Sequence, residues 1–308
     1  MKILITGGAG FIGSNVAEAY LNAGHKVVIV DNLSTGKREN VPAKARFYQA
    51  DICDASALEK IFDEEKVEIV NHLAAQADVR ISVSNPGQDA RVNIIGGLNL
   101  LELCQKRQVS KIIYSGTGGA LYGETLQNSP TEDFSVDPFS HYGVSKYALE
   151  LYIRLYAHLY KLNYTILRYA NVYGPRQNPF GEAGVVAIYI HSMLENKSPL
   201  IFGDGKQLRD YVYVGDVAQA NLKALDCPPD KTINIGSGVT TSVNTLFEIL
   251  KKETGFKGQP QYEPKRAGEI QKSSLDASLA KKILGWKPTV SIKEGLQKTL
   301  AWQKGLNR

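Results

Sequence analysis

The chain has 308 residues, 43% of them hydrophobic and 22% charged, an ordinary globular composition with room for one large domain or two unequal ones. Its formal net charge of +5 is spread thinly, with no basic run longer than pairs such as Lys265-Arg266, which argues against a nucleic-acid partner. Three cysteines (Cys53, Cys104, Cys227) lack metal or redox spacing and suit a reducing compartment, and no apolar run approaches the roughly 20 residues that span a bilayer, so a cytoplasmic protein with no membrane partner is expected.

The first apolar run, Lys2–Thr6, reads as a strand that leads into "GGAGFIGS" and a helix over Phe11–Ala23. Four glycines within seven residues break any helical core of a secretory signal there. Gly7, Gly10 and Gly13 follow a GxxGxxG spacing directly between strand and helix. Gly7 permits a tight turn, Gly10 lets backbone approach a pyrophosphate, and Gly13 lets the helix pack closely. The helix N-terminus at Phe11, Ile12 and Gly13 favours negative phosphates through its N–H groups and dipole. The pattern predicts a dinucleotide site.

The second run, Lys26–Val30, ends in Asp31-Asn32. A carboxylate at Asp31 can accept from both adenosine ribose hydroxyls and repels a 2′-phosphate, which favours NAD over NADP. Lys37 and Arg38 are close enough in sequence to reach such a phosphate. Asp51-Ile52 follows the third run, Arg46–Gln49, and is placed to meet the adenine; Asp51 reads almost equally well as the N-cap of a helix over Ala55–Glu65. A fourth run, Glu68–Leu73, precedes a long helical pattern over Pro86–Arg107. The fifth and sixth runs, Lys111–Ser115 and Tyr164–Arg168, flank another helix over His141–Lys161.

Strand–helix alternation at this spacing implies an α/β protein with a Rossmann-type doubly wound parallel sheet. After Gly174 the strand and helix signals mix, and Pro and Gly become frequent. The expected division is a cofactor domain over residues 1–174 and a smaller mixed α/β substrate domain over 175–308, with segments near 212–237 returning to the first.

In "HYGVSK", Tyr142 and Lys146 stand at i and i+4, one turn apart on one helix face. An ammonium beside a phenol favours the phenolate, so the tyrosine can act as a general base near neutral pH. Alone such a pair is usually surface decoration. Behind a dinucleotide fingerprint it predicts catalysis.

With these residues in hand, the chain resembles the extended short-chain dehydrogenase/reductases and, within them, the UDP-hexose 4-epimerases. The resemblance runs nearly end to end, through "TGGAGFIGS", "VDNLSTG", "HLAAQADV", "VNIIGGLNLLE", "HYGVSK", "LRYANVYGPRQ", "RDYVYVGDVA", "NIGSG" and "KRAGEI". It implies tightly held NAD, Tyr142 as base, and Lys146 on the nicotinamide ribose. It also implies that Leu73, Ala74, Ala75 and Asn93 line the cofactor and that Tyr169 lies near it. The third catalytic group of the family is a hydroxyl at the end of the fifth strand. "YSGTGGALYGE" departs from the usual pattern by one residue. Counting from the strand assigns Thr117, whereas counting back from Tyr122-Gly123 reaches Gly118, which has no hydroxyl; the spacing to Tyr142 favours Thr117. Gly118 and Gly119 would then widen the floor of the sugar pocket.

Related 4,6-dehydratases carry an acidic pair directly after the catalytic threonine, where this chain has Gly118-Gly119, and decarboxylases carry a glutamate in the same segment. With neither, the simplest fate of a 4-keto sugar is to turn and take hydride back on its other face. The resemblance therefore implies interconversion of UDP-glucose and UDP-galactose; the alternatives are a UDP-N-acetylglucosamine or UDP-glucuronate 4-epimerase, or a 4,6-dehydratase. By the same matching, Arg209 and Arg266 would hold the diphosphate, a task that suits planar guanidinium forks. Asn171 and Tyr211 would add diphosphate or nucleoside contacts, Glu269 would meet the uridine ribose, and Val185 and Val186, in the covering segment Gly181–Tyr189, would lie near base and sugar. Ser273 stands where a bulky residue restricts the C2 substituent, so N-acetylated sugars should be tolerated. The family's helix pair over Pro86–Arg107 and His141–Lys161 implies a homodimer. His25, His158 and His191 show no ligand spacing, so no metal is expected; His72, Trp286 and Trp302 read as packing residues.

Overall fold

The computed structural model describes residues 1–124, 129–180, 184–265 and 270–306. In chain order the first half contains β1 (Lys2–Thr6), α1 (Phe11–Asn22), β2 (Lys26–Asp31), β3 (Arg46–Gln49), α2 (Ala55–Glu65), β4 (Ile69–His72), α3 (Val79–Ser84), α4 (Pro86–Ala90), α5 (Gly96–Lys106), β5 (Lys111–Thr117), α6 (His141–Tyr160) and β6 (Asn163–Tyr169). The second contains β7 (Asn171–Tyr173), α7 (Val185–Leu194), β8 (Leu200–Phe202), β9 (Leu208–Tyr213), α8 (Val214–Ala224), β10 (Lys231–Ile235), β11 (Thr240–Ser242), α9 (Val243–Thr254), β12 (Gln261–Glu263), β13 (Lys272–Ser273), α10 (Ser278–Leu284) and α11 (Ile292–Leu306).

Among the described residues, seven strands form one parallel sheet in the order β10-β6-β5-β4-β1-β2-β3. The order reverses between β1 and β4, so their C-terminal ends open a crevice between outgoing connections. Side chains alternate between two cores. Ile3, Ile5, Val27 and Ile29 join the cluster that includes Val16 and Tyr20 of α1 and Val217 of α8. Leu4, Val28, Val30 and Val70 join the one that includes Phe62 of α2, Leu101 of α5 and Ile153 of α6. Burial on both faces explains why these strands read as continuous apolar runs.

The pattern over Pro86–Arg107 is not one regular helix. Asn85 caps α4, Pro86 opens it, and Arg91–Ile95 forms a π turn before α5 resumes. Close packing accompanies the interruption: a Cβ on Gly96 would meet Ile52 at 2.6 Å, and one on Gly97 would meet Leu149 at 2.3 Å. The π turn turns Asn93 inward, where it is buried.

Helix α6 is docked by a charged pair with almost no water. Arg168 of β6 donates from Nη2 to Glu150 Oε2 at 2.6 Å and from Nε to Oε1 at 3.1 Å, and the two side chains are 1% and 0% exposed. Arg168 Nη1 donates to the Tyr122 hydroxyl at 2.7 Å, and Tyr122 donates to Asn234 Oδ1 of β10 at 2.9 Å. Strand, helix and the loop after β5 are thus tied at one point.

The second half builds a four-stranded sheet in which β9 pairs with β7, β11 and β13. Helices α7, α9 and α11 pack beside it around Tyr189, Phe247 and Leu296. Two carboxylates gather the chain there. Asp210 accepts from the Ser237 hydroxyl and from N–H groups of Ser237, Gly238 and Leu275. Asp216 accepts from Thr289 Oγ1 at 2.6 Å and from the N–H groups of Thr289 and Val290. Trp286 is fully buried, with its indole N–H on the Asp216 carbonyl at 2.8 Å.

Glu150→Gln leaves the Arg168 guanidinium buried without a counter-charge and is expected to destabilise the fold by about 3–5 kcal/mol. The apolar pair Glu150→Leu with Arg168→Met should be closer to wild type than the single change. Urea unfolding of the three proteins checks the order, and an unchanged midpoint for Glu150→Gln would show that the pair contributes little.

Candidate active site

The C-terminal ends of the parallel strands and the facing side of the smaller lobe enclose a cleft of about 1360 Å³. Gly7 follows β1 with φ +71, a left-handed conformation, and a Cβ there would meet the Ala74 backbone nitrogen at 2.7 Å. A Cβ on Gly13 would lie 2.2 Å from the Gly7 carbonyl oxygen. The third glycine is therefore needed because α1 packs on its own entry turn, rather than on the sheet. Gly10 is the N-cap of α1 and no side chain caps that end. Gly7, Gly10, Phe11, Ile12 and Gly13 all line the cleft. A left-handed first turn, a helix lying flush on it and an uncapped N-terminus form a cradle that fits a pyrophosphate.

Asp31 ends β2, buried in the cleft wall. Its Oδ2 accepts from the Ala9 N–H at 2.9 Å and its Oδ1 from the Leu33 N–H at 2.8 Å. Asn32 donates to Asp51 Oδ2 at 3.0 Å, and Asp51 Oδ1 accepts from the Cys53 N–H at 2.8 Å. Burial alone would raise the Asp51 pKa, but the hydrogen bonds from Cys53 and Asn32 outweigh it and hold the carboxylate below its ordinary range. Asp51 does not cap α2; that role falls to Asp54, which accepts from the Ala57 N–H at 3.0 Å. Asn32, Asp51 and Ile52 line the cleft, as do Leu73, Ala74 and Ala75 after β4. Lys37 lines it too, whereas the Arg38 guanidinium stacks on Phe47, 4.5 Å from the ring centroid.

Asn93 is buried just behind α6 in a network of its own. It is outside the cleft lining, donates to the Gln76 carbonyl, Asp89 Oδ1 and Ser145 Oγ, and accepts from the Gln76 N–H at 2.8 Å. Asn93 lies within the π turn, and its amide bonds to Ser145 of α6 at 3.0 Å.

Ser140 caps α6, accepting from the Gly143 N–H at 3.0 Å, and one turn of helix then carries Tyr142 and Lys146 into the cleft. Thr117, the last residue of β5, lines the same space. Gly119 lines it as well, but Gly118 does not: a Cβ there would meet Leu275 at 2.5 Å, so that glycine serves packing rather than the pocket floor. Tyr169 shares a hydrogen bond with Ser115 at 3.0 Å and accepts from Asn221 at 2.8 Å. Burial pushes Tyr169 up to about 12, and does the same to Tyr211. Both phenols stay neutral at physiological pH, which makes them unsuited to act as a base. His72 behind the cleft accepts from or donates to Thr6 Oγ1 at 2.7 Å, and burial followed by the Lys146 charge lowers it to about 3.

From the other lobe Asn171, Val185, Val186, Arg209, Tyr211 and Ser273 reach the cleft. Arg266 and Glu269, and residues 181–183 of the covering segment, lie outside the described residues. Several lining residues were not anticipated from the sequence. Ser115 precedes the expected hydroxyl by two positions, and Arg176 sits in the quoted "YGPRQ", pairing with Glu18 at 2.6 Å beside the first turn. Phe139 and Phe180, both well exposed, stand at the mouth.

Residues 3–236 match the family model described as NAD dependent epimerase/dehydratase family. The chain belongs to this family. A putative UDP-glucose 4-epimerase of Methanocaldococcus jannaschii is 49% identical over 99% of each chain. Among solved structures, the UDP-glucose 4-epimerase of Thermotoga maritima with UDP-glucose superposes with a TM-score of 0.98 at 50% identity, covering 100% of both chains. That of Thermus thermophilus in complex with NAD gives 0.95 at 40% identity over 99% of each. As a member of the NAD dependent epimerase/dehydratase family the chain is an enzyme of NAD chemistry, and the glycine cradle with Asp31 is the part of it that fits a dinucleotide.

A neutral His72 gives the family scaffold a pH signature. The unfolded side chain takes up a proton near pH 6.5 and the folded one only near pH 3, so stability falls as pH drops through that window. His72→Gln should remove as much as one proton from the slope, about 1.4 kcal/mol per pH unit. Urea midpoints at pH 7, 5.5 and 4.5 check this; parallel curves for variant and wild type would count against a buried neutral imidazole.

Proposed function

We propose that the chain epimerises a UDP-hexose at C4, converting UDP-glucose to UDP-galactose. The observation that carries this reading is the meeting of Tyr142, Lys146 and Thr117 in one cleft whose next wall position, Gly119, offers no acid or base. The cofactor half is residues 1–174 together with segments near 212–237, and the nucleotide-sugar half is 175–308.

NAD, when bound, supplies the acceptor and donor of the C4 hydride. Gly7, Gly10, Gly13 and Asp31 would hold it by pyrophosphate and ribose. Lys146 holds positive charge one turn from Tyr142 and favours its phenolate, and Tyr142 takes the proton from the sugar O4. Thr117 hydrogen-bonds the same oxygen and keeps it aimed at Tyr142. Arg209 draws the diphosphate to the far wall, which leaves the 4-keto ring free to turn, and Tyr142 then returns the proton. With no group at Gly118 or Gly119 to eliminate water, the product differs only at C4.

Homodimerisation through α5 and α6 is part of this reading. Val144, Leu151, Leu155 and Leu159 are about half exposed along one face of α6, and Ile95, the last residue of the π turn before α5, is exposed to the same degree. Among the described residues no helix is long and apolar enough to cross a membrane. We place the protein in the cytoplasm.

Tyr142→Phe should lower turnover by at least ~10²-fold, the usual weight of a general base. Proton NMR of the products reads both rate and reaction: exchange of UDP-glucose with UDP-galactose supports the proposal, and a methyl doublet would instead reveal a dehydratase. Undiminished turnover in Tyr142→Phe would refute the assigned base.

The wall opposite Gly119 is made of small groups. A Cβ on Gly119 would be 3.9 Å from Ser273 Oγ and 3.8 Å from Asn171 Oδ1. UDP-N-acetylglucosamine should therefore also be turned over. Ser273→Tyr should depress that activity about tenfold or more relative to UDP-glucose, because the added ring must displace the acetamide. Equal losses on both substrates would show that Ser273 does not face C2.

A further inference from the structure

We propose that Tyr114 is a positioning residue that grips Lys146 at both ends, carrying its ammonium on the ring face and holding its backbone carbonyl with the phenol hydroxyl. The inference rests on the assignment of Tyr142 and Lys146 above. Lys146 Nζ lies 4.4 Å from the Tyr114 ring centroid, and the Tyr114 hydroxyl donates to the Lys146 carbonyl at 3.2 Å. Tyr114 is fully buried in β5, and Lys146 is only 3% exposed.

A buried ammonium has lost most of its water. The negative face of an aromatic ring replaces part of that solvation, and does so most effectively where water is scarce. An aliphatic side chain would fill the same core volume but would provide neither a π-face nor a donor. A lysine stem also has four rotatable bonds. Fixing its carbonyl and its Nζ on one rigid phenol limits where the charge can go, and the charge is what acts on Tyr142.

The surroundings suit a single cation. On α6 the neighbours are Tyr142 and, one turn on from Lys146, Glu150, which is committed to Arg168. On β4 the His72 ring packs against Tyr114, with centroids 5.6 Å apart and planes 31° apart, and it stays neutral. On α4 the buried Asp89 accepts from Gln76 and Asn93. Tyr114 itself is raised well above the ordinary phenol range, first by burial and then by Glu150, Tyr142 and Asp89, so it remains a donor throughout.

The test compares Tyr114→Phe and Tyr114→Leu. Phe keeps the ring and loses the hydroxyl grip; its kcat/KM should fall about two- to threefold, between wild type and Leu, with a smaller upward move of the pH profile. Leu loses both grips. Its kcat/KM at pH 7 should fall about three- to tenfold, with the apparent pKa of the essential base moved upward. Ultraviolet titration at 295 nm, taken as the difference between each protein and its Tyr142→Phe partner, should show the Tyr142 midpoint moving the same way without any turnover. A folded Leu variant with reduced activity but unmoved profile and midpoint would reduce Tyr114 to a packing residue. If the Leu variant does not fold, phenylalanines of increasing fluorination at 114 preserve volume while draining the ring face. A graded upward shift supports the grip, and no trend overturns it. Full turnover in Tyr142→Phe alone would instead fault the base assignment, which separates the two failures.

Discussion

A guanidinium and a carboxylate facing each other without water, Arg168 and Glu150, hold the catalytic helix where the chemistry needs it. Taking two charges out of solvent is costly, so the pair persists only because its geometry is bidentate and the remaining donor finds Tyr122. The pair sets constraints around itself. Gly116 must lack a side chain, since a Cβ would lie 2.8 Å from Glu150 Oε1. The loop after β5 is held through Tyr122 and Asn234, and that loop carries Gly119 into the cleft. Two turns upstream of Glu150, Tyr142 comes to the end of β5 beside Thr117.

The cleft follows from a general property of parallel sheets. All seven strands end on one side, and reversal of order between β1 and β4 leaves a gap there that neither neighbouring connection fills. Backbone groups do much of the recognition on the cofactor side, through close approach at Gly7 and Gly13 and an uncapped helix end. The opposite wall is lined by side chains, Arg209, Asn171 and Ser273, that come from three separate strands of the four-stranded sheet.

Burial then sorts residues of one type into different roles. Five tyrosines, at 142, 169, 173, 189 and 211, line the cleft; burial pushes Tyr169 and Tyr211 to about 12 and raises Tyr173 as well. Tyr169 is further tied to Ser115 and Asn221. Only for Tyr142 does the helix place a lysine on the same face one turn away. Tyr114, outside the cleft and beneath it, gives its ring to that lysine.

Much of this was legible in the residues alone, for local reasons. Strands buried on both faces are mostly apolar, so β1, β2, β4, β5 and β6 stood out as runs, and a GxxGxxG turn between strand and helix has few uses. The i, i+4 spacing of Tyr142 and Lys146 is a property of any helix. What the chain order could not convey was decided by packing between distant segments. Asn93, in the π turn before α5, is bonded to Gln76 and Ser145, which lie apart from it in the chain. Gly118 and Gly119, adjacent and chemically identical, parted company because one met Leu275 and the other the pocket. Asp51 read almost equally well as an adenine neighbour and as the cap of α2, and the fold gives the cap to Asp54 instead. Local periodicity depends on the backbone's own geometry and is therefore written along the sequence; the direction a side chain finally takes depends on neighbours far away in the chain, and only the folded structure brings those neighbours together.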